Sequence, residues 1–173
     1  MKETLAIIDR MKRDGVIEDY AIGGAVGATF YLEPMATMDV DVFVLFHRSP
    51  GDILITLTPI YDYLKAKGYE ARGEYILIAG WPVQFLPPAN ALSDEAVAEA
   101  VGTQVEGVAT RIMRAEHLVA IALQLGRSKD YARVLQFIEA GRIDLTKLQA
   151  ILARHGLEEK WRQFRSRFLE DMP

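Results

Sequence analysis

Two aspartates, Asp39 and Asp41, stand one residue apart in the run Asp39-Val40-Asp41-Val42-Phe43-Val44-Leu45-Phe46. The run is rich in β-branched and aromatic residues and reads as a strand. Successive side chains on a strand point to opposite faces. The two carboxylates therefore point one way, and Val40, Val42 and Val44 the other. Two like charges held side by side are unfavourable without something positive between them. A hard, oxygen-preferring divalent cation, Mg2+ or Mn2+, suits such a pair. Upstream, the short apolar run Tyr20-Ala21-Ile22 ends on Gly23 and Gly24. Paired glycines let backbone N–H groups approach a phosphate. The segment that follows, 25–32, reads as a helix directing its positive end to the same place. Glu33-Pro34 breaks it. One stretch thus offers both halves of a metal–phosphate site.

The order Gly23-Gly24, a helix-length spacer, then Asp39-x-Asp41 on a strand resembles the signature of the nucleotidyltransferase superfamily. Within it the sequence is similar to small bacterial nucleotidyltransferase-like proteins, including AbiEii-type toxins. Thr37 matches a threonine that precedes the acids in those proteins; Met35 and Met38 stand where a basic residue is more usual. A second segment is also similar. Glu116-His117-Leu118 opens an apolar helix, and the turn Arg127-Ser128-Lys129-Asp130 opens another. The resemblance spans residues 20 to about 138. It implies an α+β fold: a small mixed sheet with flanking helices, then a C-terminal helical bundle. It also implies an enzyme that moves a nucleoside monophosphate from a nucleoside triphosphate to a hydroxyl of RNA, protein or a small molecule, with Mg2+ or Mn2+. Asp39 and Asp41 would be the catalytic, metal-holding pair, and Gly23, Gly24, Thr37 and Lys129 would contact the nucleotide. Asp130 would complement a helix N-terminus.

One departure bears on the chemistry. Active members of the superfamily usually carry a third carboxylate on a neighbouring strand, and the matching place here holds Gln84. An amide cannot act as a base. Glu74 on the preceding strand is the substitute if the register brings it close. A weakened site points to the alternative reading, a fold of this class that binds without catalysing, such as one half of a toxin–antitoxin pair with a cognate antitoxin as its partner.

Composition is ordinary for a globular protein: half of the 173 residues are hydrophobic and a quarter charged. The chain lacks cysteine, which removes disulfides and thiolate zinc sites. No apolar run approaches a membrane span and no signal-peptide core is seen, so a cytoplasmic setting is expected. The net charge of −4 hides an asymmetry: residues 1–102 hold 8 Lys/Arg against 15 Asp/Glu, and residues 103–173 hold 12 against 9. His47, His117 and His155 are far apart with no ligand spacing, and read as structural or exposed.

The elements needed to position these residues follow from periodicity. An amphipathic helix is predicted over 2–13, ended by Gly15, and a first core strand over 18–22. A helix over 52–67 should be kinked or interrupted by Pro59. Residues 75–78 and 83–86 read as a hairpin around Ala79-Gly80-Trp81-Pro82. Ser93 is expected to cap a helix reaching Gly102, and 108–113 to add a strand. Four helices then follow, with Ser128 and Asp144 as caps of the second and third. The expected division falls near residue 112, giving a 1–112 αβ core and a 113–173 helical subdomain.

Overall fold

A computed structural model of the chain describes residues 1–33, 37, 39–47 and 56–169. The expectations for Met35, Met38 and the start of the helix over 52–67 lie outside these residues. Among them, seven strands form one mixed sheet in the order β3-β4-β5-β2-β1-β7-β6. These are β1 Asp19–Ile22, β2 Val40–Leu45, β3 Glu70–Arg72, β4 Tyr75–Ile78, β5 Trp81–Leu86, β6 Val101–Val105 and β7 Val108–Ile112. The helices are α1 Lys2–Arg13, α2 Gly24–Ala28, α3 Thr58–Ala66, α4 Ala91–Ala98, α5 Ala115–Leu125, α6 Ser128–Glu139, α7 Leu145–Arg154 and α8 Glu158–Phe168.

The strand that bears the acids is central. β2 runs antiparallel to β1, with Ile22 opposite Val42, and parallel to β5, with Asp41 opposite Gln84. Its alternation decides where the acids go. Val40, Val42 and Val44 are fully buried in a core with Leu5, Ile8 and Met11 of α1 and Ile60 and Leu64 of α3. On the other face Phe43 and Leu45 pack against a second core, built on Leu118, Val119 and Leu123 of α5 and Val134 and Phe137 of α6. Both faces of β2 are therefore covered, and the face carrying the aspartates looks toward the C-terminal helices.

Several local expectations are corrected. The segment 25–32 is helical only to Ala28; Thr29 caps it, its hydroxyl donating to the Val26 carbonyl at 2.7 Å, and residues 29–31 turn. That local side-chain bond competes with further helix. Pro59 does not kink a helix; among the described residues the helix starts beside it, at Thr58, and Pro59 lies in the first turn of α3, where its missing N–H is harmless. The N-cap of α4 is Asn90, not Ser93. The Asn90 Oδ1 accepts from the Ser93 N–H at 3.0 Å, and the Ser93 hydroxyl accepts from the Asn90 N–H at 3.1 Å, closing a reciprocal box. That helix stops at Ala98, because Val101–Val105 pairs with β7 as an edge strand. The α6 cap is Arg127, one residue before Ser128. β3 is wholly exposed, so it carries no alternating pattern to betray it.

Candidate active site

Asp39 and Asp41 open onto a cavity of about 420 Å³ between the sheet and α5–α6. Of the other residues the sequence points to, Gly24 and Lys129 line this cavity with the pair, and Thr37 touches Asp39. The Gly24 backbone has φ +56°, and a Cβ at this position would lie 1.9 Å from the Asp41 Oδ2. Gly24 is thus required twice: by its left-handed backbone and by the carboxylate resting against it. The Gly23 N–H donates to the Asp41 carbonyl at 2.9 Å, so this glycine fixes the height of the strand. A Cβ there would meet the Phe43 ring at 2.7 Å. The Thr37 hydroxyl donates to the Asp39 carbonyl at 3.0 Å and lies 3.5 Å from its Oδ1. Lys129 lines the cavity from α6.

Gln84 lines the same cavity, as the parallel register with Asp41 requires. Its Nε2 donates to Glu74 Oε2 at 2.9 Å. Glu74 therefore does come close, but as the acceptor that holds the amide.

Sequence reasoning did not single out Arg133, which also lines the cavity. It follows Lys129 by four residues, one helical turn on the same face of α6, and that spacing was the available signal. Arg127 also borders the cavity. Its Nε donates to Asp130 Oδ2 at 2.6 Å, and Asp130 is 1% exposed. Asp130 also accepts from the Arg127 N–H at 3.3 Å, which makes it the structural complement of the helix start.

The electrostatics follow from this layout. Burial raises the Asp41 carboxyl above the ordinary carboxylate range, the neighbouring Asp39 raises it further, and Arg133, Lys129 and Arg127 act in opposition. The Tyr75 phenol, on the cavity rim, is pushed up by desolvation and then by Glu74 and Asp39. Asp39 and Asp41 make no ion pair among the described residues. Two crowded carboxylates with hard oxygens and no direct cationic contact form a donor set that fits a divalent ion.

A second acidic group lies apart from this cavity. Glu95, Glu99 and His117 bring ligand atoms within 4.8 Å of one another, a set that could bind a metal. Glu95 is already engaged, however. It accepts from Arg154 Nη2 at 2.6 Å, and lies 2.8 Å from His155 Nε2 and 3.1 Å from His117 Nε2. His117 is buried and His155 largely buried, and the carboxylate that joins them was not anticipated.

The architecture is that of nucleotidyltransferase-like proteins. An antigenic nucleotidyltransferase-like protein from Paracoccidioides brasiliensis superposes with a TM-score of 0.60 at 17% identity, over 88% of this chain and 85% of that one. The antibiotic-resistance factor ANT(2'')-Ia superposes with a TM-score of 0.50 at 14% identity, over 96% and 99%. At such identities the likeness speaks to the fold. No protein-family model matches the sequence, and no curated protein matches it. No described helix is long and apolar enough to cross a membrane.

Proposed function

We propose that the protein transfers a nucleoside monophosphate from a nucleoside triphosphate to an acceptor hydroxyl. The observation that carries this reading is the shared cavity. Two carboxylates, Asp41 on a central strand and Asp39 just before it, share a cavity with two cations on a helix, and a glycine backbone is pressed against one of the acids. The acceptor oxygen would bond to the α-phosphorus as the bond to the α–β bridging oxygen breaks, pyrophosphate would leave, and the hydroxyl proton would pass to water. Asp39 and Asp41 would hold Mg2+ or Mn2+, which supplies charge neutralisation at the phosphates when bound. Gly24 keeps Asp41 in place, and Thr37 orders the backbone beside Asp39. Lys129 would neutralise phosphate oxygens, and Gly23 would help shape the phosphate side of the cavity. The 1–112 segment would supply the metal-holding face, and the 113–173 helices the opposite wall and the acceptor side. A cytoplasmic setting suits the substrate.

Gln84 supports a second reading. An amide held by Glu74 is no base for the acceptor's proton, so the chain would bind nucleotide and transfer slowly or not at all. Such a module would act by association, for example with a cognate antitoxin, as the AbiEii-type likeness suggests. Incubation with α-labelled triphosphates, Mg2+ and candidate RNA, protein or small-molecule acceptors separates the two. A labelled acceptor that is lost in Asp41→Asn supports transfer. Nucleotide binding without label transfer supports the second reading. Absence of metal-dependent nucleotide binding would remove both.

A further inference from the structure

Of the three cations on the cavity wall, only one is accounted for by its neighbours. Arg127 spends its guanidinium on Asp130. Lys129 and Arg133 make no ion pair and no side-chain hydrogen bond among the described residues. The Arg133 Nε is buried without a hydrogen-bond partner. An N–H withdrawn from water with no acceptor is costly, and native proteins seldom keep one idle. An acceptor that enters the cavity would satisfy it. A guanidinium fork suits phosphate oxygens best, because two parallel N–H groups match two oxygens.

We infer that Arg133 is a polyphosphate-binding residue, and that with Lys129 it provides the standing counter-charge of Asp39 and Asp41 while no metal is bound. This rests on the proposed reading only for the identity of the anion. Two consequences have opposite signs. Positive charge at Arg133 attracts the polyphosphate. The same charge repels a divalent cation from the carboxylates opposite. Removing it should weaken the anion and tighten the metal. A residue that merely supported the fold would weaken both.

The test uses the full chain, with Arg133→Gln and Arg133→Lys. The first probe is inorganic tripolyphosphate in metal-free buffer with chelator, titrated by calorimetry. Arg133→Gln should bind it at least about tenfold more weakly, the loss expected for one hydrogen bond to a charged group. Arg133→Lys should fall in between, keeping the charge and losing the fork. The second probe is Mn2+ alone, followed by its paramagnetic signal. Here Arg133→Gln should bind more tightly than the parent, and Arg133→Lys should match it. Unchanged tripolyphosphate affinity in Arg133→Gln would overturn the inference, as would weakening of both probes together with a lowered Tm. Failure of label transfer to any acceptor would count against the proposed reaction and leave the Arg133 result standing. Transfer that proceeds with tripolyphosphate binding indifferent to Arg133 would do the reverse.

Discussion

Gly24→Ala is the sharpest perturbation of the site, because its cost has two separable parts. The first is backbone strain. Gly24 sits at φ +56°, where a Cβ meets the chain itself, at roughly 1–2 kcal/mol. The second is collision. The new Cβ would lie 1.9 Å from the Asp41 Oδ2 and 2.8 Å from its Cγ, so the carboxylate must leave its rotamer. An off-rotamer side chain costs about 0.5–1.5 kcal/mol. Together they reach about 2–3 kcal/mol, which for a chain of this size lowers Tm by very roughly 5–10 °C. The parts are separated by repeating the substitution in an Asp41→Ala background. There the carboxylate is gone, and the strain and a tight 3.1 Å approach to the Cβ of residue 41 remain, so the cost of Gly24→Ala should fall by about 1 kcal/mol, a coupling readable in a double-mutant cycle. Denaturant melts of the four proteins supply the numbers. Metal titration of Gly24→Ala should show lost affinity, since the ligand has been pushed aside. Equal cost in both backgrounds would refute the reasoning: Gly24 would then be required by its backbone alone, not as clearance for Asp41.

Asp41→Asn should stabilise the metal-free protein at neutral pH. The folded carboxyl lies above its ordinary range, so Asp41 supports the fold when protonated and loses that support as pH rises through the raised value. Scanning calorimetry should find a higher Tm for the variant at pH 7, by about 2–4 °C for each kcal/mol, and convergence toward pH 3; a lower Tm at pH 7 would make the acid structural. Glu95→Gln should do the opposite. Arg154 first, then His155 and His117, hold this carboxyl down at about 2 against the cost of its burial, so its contribution is present above its usual 4.5 and fades as pH falls through about 2. A loss of about 1–3 kcal/mol at pH 7, vanishing in acid, is the expected melt. Gln84→Asp adds a carboxylate opposite Asp41 and exchanges the Glu74 hydrogen bond for repulsion. Mn2+ should bind more tightly, the metal-free protein should melt earlier, and any label transfer should quicken; unchanged metal affinity would place Gln84 outside the ligand set.

What was legible in the sequence is what local patterning controls. Valines alternating with aspartates told both the strand and the side on which the acids emerge, since period two leaves no other choice when one face is buried. The hairpin expected around Ala79-Gly80-Trp81-Pro82, whose second strand in fact starts at Trp81, and the cap at Asp144, whose Oδ1 accepts from Thr146 and Lys147, were equally local. The losses were of two kinds. Caps were misplaced by one to three residues, because Asn90 and Ser93 are both good caps and only the reciprocal box distinguishes their positions. Contacts distant in sequence were invisible: Glu95 meets Arg154 and His155 across 59 and 60 residues, and no periodicity links them. Arg133 falls between these cases. Its i,i+4 relation to Lys129 was readable, but its buried, partnerless Nε depends on the packing of α6 on α5.

That packing makes the site a joint product of two cores. β2 alone places the acids but leaves them facing open space. The opposite wall arrives only when the C-terminal helices dock on the face formed by Phe43 and Leu45. Docking is held by contacts just after the glycines. A Cβ at Gly27 would be 2.9 Å from the Ile22 carbonyl and 3.4 Å from the Leu118 side chain, so α2 is wedged between β1 and α5. The Tyr31 hydroxyl then donates to the Met113 carbonyl at 2.9 Å, and its ring lies 6.0 Å from that of Phe137 on α6. The segment between the glycines and the acids is therefore more than a spacer. Its start presses on Asp41, and its end grips the helices that bring Lys129 and Arg133. Carboxylates and cations are set at opposite ends of one short run of chain, so a change in the seating of α5 and α6 alters the charge balance of the cavity without touching either aspartate.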